Sequence, residues 1–266
     1  MKGLKKVFGT AAALMAAIVV AGGMKVSAAN YSINLNEEKE FSSNNYDENV
    51  IEFKAPENGG FHIEVVLTDT INSKGESVNF GNVWLSATMV YNYKTMWNSG
   101  SINRDKGWTS SPEYCLPAGS TVSLNVKGNF DNTTYKYKVK VVNDADKYYE
   151  KEDNGTAKKA TSIKVKKAYS GVINDGDDVD WFVFKAKKAG KYKFSAVNTE
   201  NHHGWTSFTG YKTKSKKDGN YVGIYNERGW KKIKTVSLKK GQKYYIKVAH
   251  GYNDNATYKL KVKKVK

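Results

Sequence analysis

The chain repeats itself, and that limits its fold more than any other feature. Ile51-Glu52-Phe53-Lys54-Ala55-Pro56-Glu57-Asn58-Gly59-Gly60-Phe61-His62-Ile63 aligns without a gap on Phe182-Val183-Phe184-Lys185-Ala186-Lys187-Lys188-Ala189-Gly190-Lys191-Tyr192-Lys193-Phe194. The shared frame is aromatic-Lys-Ala, a glycine, then apolar residues at alternate positions. A second match follows. Leu116-Pro117-Ala118-Gly119 leads to Val122, Leu124 and Val126, and after a loop to Thr134-Tyr135-Lys136-Tyr137-Lys138-Val139. Leu238-Lys239-Lys240-Gly241 leads likewise to Tyr244, Ile246 and Val248, then to Thr257-Tyr258-Lys259-Leu260-Lys261-Val262. A chain that repeats its strand pattern must repeat its fold.

Apolar residues at every second position mark strands with one buried face, and the interleaved lysines mark the solvated face. The less similar middles, Trp84 to Trp108 and Trp205 to Trp230, hold turn signals at Asn98-Ser99-Gly100 and Asp218-Gly219. Seven or eight short strands per copy read as an all-β chain of two tandem β-sandwich, jelly-roll-like domains. The expected boundaries are 30–143 and 150–266, joined by a polar linker at 144–149.

Residues 1–29 read as a signal peptide: Lys2, Lys5 and Lys6, an apolar run, then Val26-Ser27-Ala28-Ala29. Cleavage there implies a secreted, extracellular protein with no membrane span. The single cysteine, Cys115, excludes an internal disulfide and is read as a buried strand residue. Charge is lopsided. Residues 30–143 hold 10 basic and 13 acidic residues, and residues 144–266 hold 29 and 13. Nine of those acids fall within 144–180, so the second copy has an acidic start and a basic body.

The second copy resembles the bacterial pre-peptidase C-terminal domain, a β-sandwich related to the collagen-binding domains of clostridial collagenases. The residues concerned are Glu150-Lys151-Glu152-Asp153-Asn154 with Ala157, Ala160 and Ile163. Ser170-Gly171, Asp177-Asp178-Val179-Asp180-Trp181-Phe182 and Ala189-Gly190-Lys191-Tyr192 follow in order. The first copy is similar only through the repeat. It has Asp47, Asn49 and Val50 in place of Asp178, Asp180 and Trp181, and it lacks the acidic lead-in.

Glu150, Glu152 and Asn154 alternate, which puts three oxygen donors on one side of an extended chain. Asp177 and Asp180 are close enough in a turn to face the same ion. This oxygen-rich set suits structural Ca2+, and the resemblance implies calcium at these positions. Gly155 departs from it, standing where those relatives often offer a further oxygen. The competing reading is a solvated acidic linker. No metal site is expected in the first copy.

No catalytic residues stand out: His-Glu-x-x-His, Gly-x-Ser-x-Gly and phosphate-binding glycine loops are absent. His202-His203 are adjacent and read as surface residues. Trp205, Tyr211, Tyr221, Tyr225 and Trp230, interleaved with Lys214 and Lys231, read as a ligand-binding surface. About half of these aromatics are expected in the core, along with Trp181. The expected function is non-catalytic attachment to an extracellular polymer: a collagen-like protein, a cell-wall polysaccharide or an anionic wall polymer such as teichoic acid. Nucleic acid is not expected. The alternative is an accessory module or partner of a secreted protease.

Overall fold

A computed structural model describes residues 29–265, except 45–46, 80, 145, 200–204, 226–228 and 251–254. The expected signal peptide lies outside the described residues apart from Ala29, and His202-His203 lie outside them altogether. The first half comprises β1 (Ala29–Ile33), β2 (Glu38–Asn44), β3 (Glu48–Lys54), β4 (Gly59–Asn72), β5 (Leu85–Tyr91), β6 (Lys94–Asn98), β7 (Thr109–Ser110), β8 (Tyr114–Leu116), β9 (Thr121–Gly128) and β10 (Thr133–Asn143). The second comprises β11 (Thr161–Ile163), β12 (Ala168–Ile173), β13 (Val179–Lys185), β14 (Gly190–Asn198), β15 (Thr206–Tyr211), β16 (Val222–Ile224), β17 (Lys231–Leu238), β18 (Lys243–His250) and β19 (Ala256–Val265). A single 3-10 turn, Arg104–Lys106, is the only helical element among the described residues.

Each half is a two-sheet sandwich, and the strand orders correspond. The order β1-β3-β9-β5-β6 matches β11-β13-β18-β15-β16, and β2-β10-β4-β7 matches β12-β19-β14-β17. Even the parallel pair that opens each sandwich is kept: β1 with β3, and β11 with β13. Alternation explains the layering. Tyr135, Tyr137, Val139 and Val141 of β10 point into the first core, while Tyr258, Leu260 and Val262 of β19 point into the second. The two cores are separate clusters, one per half. No helix among the described residues is long and apolar enough to cross a membrane.

One local expectation changes, and Trp181 is buried as expected but on the other face. The first-half hairpin turns at Asn92-Tyr93, with φ of 50° and 62°, not at Asn98-Ser99-Gly100. Both turn residues are left-handed, as a tight two-residue hairpin requires, but a tyrosine occupies a place that sequence rules give to glycine. Trp181 is only 9% exposed but lies outside the inner cluster. Asp180 and Phe182 are its buried neighbours on the strand, so alternation turns Trp181 to the outer face. There Tyr211 covers it, with ring centroids 4.8 Å apart.

The halves meet through polar groups. The side chain of Asn174 accepts from the Cys115 amide (2.8 Å) and donates to the Cys115 carbonyl (3.0 Å), acting as a one-residue strand partner for β8. Asn58 does the same across the junction: it accepts from Glu152 N (2.8 Å) and donates to Glu150 O (2.5 Å). Tyr149 donates to Glu113, Asn255 donates to Glu113 O, and Lys94 pairs with Asp175 at 2.6 Å. Removing one asparagine side chain strands a buried backbone group. We therefore expect Asn174→Ala to lower stability by about 1–3 kcal/mol in urea denaturation. A control at exposed Asn220 should be neutral.

Candidate functional site

The acidic lead-in of the second half becomes a site because of how it pairs. Glu150 N donates to Ser170 O and Ser170 N to Tyr148 O, both at 2.9 Å, so the segment lies along β12 as a short parallel strand. Asp153, at φ 75°, turns the chain back, and Trp181 N then holds Asn154 O at 3.1 Å. Glu150 and Asn154 end up fully buried beside Asp180. Gly171 is needed here: a Cβ on it would lie 2.9 Å from the Glu150 carboxyl carbon and collide with the Tyr258 hydroxyl.

Four expected metal ligands come together. Glu150 Oε1 accepts from Val172 N at 2.6 Å, and its Oε2 accepts from Asn154 Nδ2 (3.1 Å) and Tyr258 OH (3.0 Å). Tyr258 OH also reaches Asp180 Oδ2 at 2.6 Å. One hydroxyl proton cannot serve two carboxylates at once, so an extra proton or a cation would relieve the Glu150–Asp180 pair. Glu152 lies alongside, held by Asn174 Nδ2 at 3.3 Å. Asp180 Oδ1 and Glu152 Oε2 are buried without a hydrogen-bond partner, the state in which a cation is most favourable. Among the described residues, no lysine or arginine forms an ion pair with Glu150, Glu152 or Asp180.

Asp177 is not brought into this group. It is exposed, and its amide donates to Asp175. Asp178 faces the cluster instead, half-buried and accepting from Asn174 N at 2.7 Å. A spacing argument could not choose between adjacent aspartates, because the turn rotates one in and the other out.

Burial sets the electrostatics. It pushes Glu152 up to about 8, with the charges of Asp178 and Glu150 adding to the effect. Glu150 and Asp180 are also raised, first by desolvation. Cys115 joins from the first half: its Sγ and single oxygens of Glu150 and Glu152 lie within 4.8 Å of one another, a group able to hold a metal ion. The residue is a buried strand member as expected, and burial followed by the nearby carboxylates raises its thiol well above the usual range. Sequence spacing had no way to find this neighbour, which comes from the other half. In the first half Asn49 replaces Asp180, and its amide donates to Tyr137 OH and Ser42 O.

The expected ligand surface divides in two. Trp205, Tyr221 and Tyr225 gather at the β15–β16 edge: the Trp205 ring stacks on Tyr221 at 5.5 Å and lies 5.9 Å from Tyr225. Gly223 makes room, since a Cβ there would press on the Trp205 ring at 3.1 Å. Tyr221 and Tyr225 are 55% and 56% exposed. Tyr211 faces the same way but is used to cover Trp181. Trp230 and Lys231 belong to the opposite sheet, where Lys261 Nζ sits 3.4 Å over the Trp230 ring. Lys214 is exposed in the turn after β15.

No family model matches the chain, and no curated protein matches it. Among solved structures the chain is similar to the pre-peptidase C-terminal domain of collagenase from Bacillus anthracis. The identity is 21% over 39% of this chain and 94% of that one, with a TM-score of 0.29. It is also similar to the CBM22-1–CBM22-2 tandem domain of Xyn10C from Paenibacillus barcinonensis, at 11% identity over 82% of each chain and a TM-score of 0.24. A further likeness is to the M60 catalytic domain with CBM51-1 and CBM51-2 of ZmpB from Clostridium perfringens. There the identity is 9%, over 83% of this chain and 34% of that one, and the TM-score is 0.26.

Proposed function

We propose that this is an exported, non-catalytic protein that attaches to an extracellular polymer through the outer face of its β11-β13-β18-β15-β16 sheet. The observation that carries the reading is the open stack of Trp205, Tyr221 and Tyr225. Large rings left in water lose the burial that would normally stabilise them, so an exposed stack on a rigid strand pair marks a contact surface. Flat aromatic faces suit flat apolar partners: the sugar rings of a wall polysaccharide or the prolyl rings of a collagen-like protein. Lys214 lies near this edge in sequence and would add polar contact.

The junction carboxylates support a structural Ca2+. Glu150, Glu152, Asn154 and Asp180 would hold it, with Asp178 in the place expected for Asp177. Two buried orphan oxygens and an all-oxygen donor set apart from Cys115 fit a hard cation. When bound, the ion supplies the positive charge that the buried carboxylates lack. Because Cys115 and Asn58 of the first half border the same group, the ion would also fasten the two halves.

Two measurements follow. In pull-downs on collagen and on wall polysaccharide, the protein should be retained by at least one. Tyr221→Ala/Tyr225→Ala should weaken that retention by about tenfold, the scale of one or two lost aromatic contacts. Retention by neither polymer overturns the reading. For the ion, the signs are set by burial. Glu152 is held protonated to about pH 8 in the folded chain, against an ordinary value of 4.5. Its contribution to stability is present at low pH and is lost as pH rises through that window. In chelator the melting temperature should therefore fall from pH 5 to pH 8. Calcium at about 100 times its Kd should restore about 2.7 kcal/mol at pH 8 and much less at pH 5. Asp180→Asn should abolish the calcium gain.

A further inference from the structure

The other sheet of the second half has a charge pattern that the fold alone does not explain. Its inward residues, Tyr192, Phe194, Tyr258, Leu260 and Val262, belong to the core. Alternation therefore places Lys191 and Lys193 of β14 and Lys259, Lys261 and Lys263 of β19 on the outer face. Lys193 is directly opposite Lys263, and Lys261 is opposite Ser195 and Ala168. Along β19 the lysines recur about every 7 Å, and across the strands about every 5 Å. Like charges directly opposed on a sheet are destabilising. Among the described residues only Lys259 has an acid beside it, Asp146 at 2.9 Å.

The first half serves as an internal control. Its β10 carries Lys136, Lys138 and Lys140 at the positions of Lys259, Lys261 and Lys263. There each lysine is faced by acids. Lys136 is opposite Asp69, Lys138 is opposite Glu40 and bonds Glu38 at 2.8 Å, and Lys140 is 3.7 Å from Glu64. By ladder position, Ala168 of the second half stands in the place of Glu40, and Lys193, opposite Lys263, stands in that of Glu64, opposite Lys140. The same scaffold is thus neutralised in one copy, whereas among the described residues of the other only Lys259 meets an acid, Asp146. The Lys261 ammonium is disfavoured by burial and then by Lys193 and Lys263, so the arrangement costs the free protein stability.

From this contrast we propose that the outer face of the β12-β19-β14-β17 sheet is a docking track for a linear polyanion, distinct from the aromatic platform on the opposite sheet. Lysine ammoniums are point charges without the fork of arginine. The track therefore reads charge spacing and length, not the shape of a repeat. A polymer lying along β19 meets successive lysines and neutralises them together, and releases the counterions of both partners.

The test uses the mature protein with long-chain inorganic polyphosphate, heparin as a second polyanion, and tripolyphosphate and dextran as short and neutral controls. Long polyphosphate and heparin should bind in 50 mM salt and weaken at least about tenfold in 200 mM, whereas tripolyphosphate and dextran should not bind measurably. Lys193→Gln/Lys261→Gln/Lys263→Gln should cost about tenfold or more in affinity at low salt. The loop triple Lys187→Gln/Lys239→Gln/Lys240→Gln removes the same formal charge and should stay within about threefold. Equal losses in the two triples would mean net charge alone and overturn the track, as would absence of binding at 50 mM salt. Lys193→Glu recreates an acid opposite Lys263. It should raise the melting temperature while weakening polyphosphate binding, and a lower melting temperature would remove the like-charge argument. Tyr221→Ala/Tyr225→Ala should leave polyphosphate binding unchanged, which separates this proposal from the platform reading.

Discussion

Two carboxylates, Glu150 and Asp180, are buried where the two sandwiches meet, with half-buried Glu152 beside them and no cationic side chain paired to any of the three among the described residues. Buried charge of one sign is among the most expensive arrangements a protein can hold. It constrains everything near it. The lead-in segment must pair with β12 to bring Glu150 inward, Gly171 must lack a side chain, and Tyr258 must divide one proton between two acceptors. The cluster then needs a proton or a cation to be stable, so the junction responds to conditions in a way that neither hydrophobic core does.

The junction differs in kind from the cores it connects. Each core is held by alternating apolar residues and closes without help from the other half. The contact between halves is made by asparagine side chains that imitate strand partners, by single ion pairs and by the acidic cluster. Such contacts are directional and individually modest. They fix orientation more than they add stability, and a bound ion would multiply their effect because both halves border its site.

The repeat has been used unequally. Both copies keep the strand order, but the polar positions have diverged in opposite senses. At the inner site Asn49 in the first copy is Asp180 in the second, which adds negative charge. On the outer face the ladder positions of Glu40 and Glu64 are taken by Ala168 and Lys193, which removes it. The second half is thereby acidic where it meets its neighbour and basic where it meets solvent. Its aromatic platform occupies a third surface, on the sheet opposite the lysines.

Period-two alternation and the gapless repeat were enough, as sequence, to determine an all-β chain of two sandwiches, because a one-face-buried strand can be satisfied in few other ways. That acids gather at the inner end of the second half was legible from Glu150 and Glu152, but Asn154 joins them through the turn at Asp153 and not through extended alternation. What only the tertiary structure decided is which atoms meet. Asp178 faces the cluster and Asp177 does not, because a turn sets the rotation of neighbouring residues. Cys115 arrives from the other half, because docking is set by contacts remote in sequence. Trp230 and Trp205 lie on opposite sheets, and Trp181 on an outer face, because each strand's neighbours and facing follow from pairing register. The unneutralised lysines were visible as composition, but their opposition across the ladder exists only once β14 and β19 are paired.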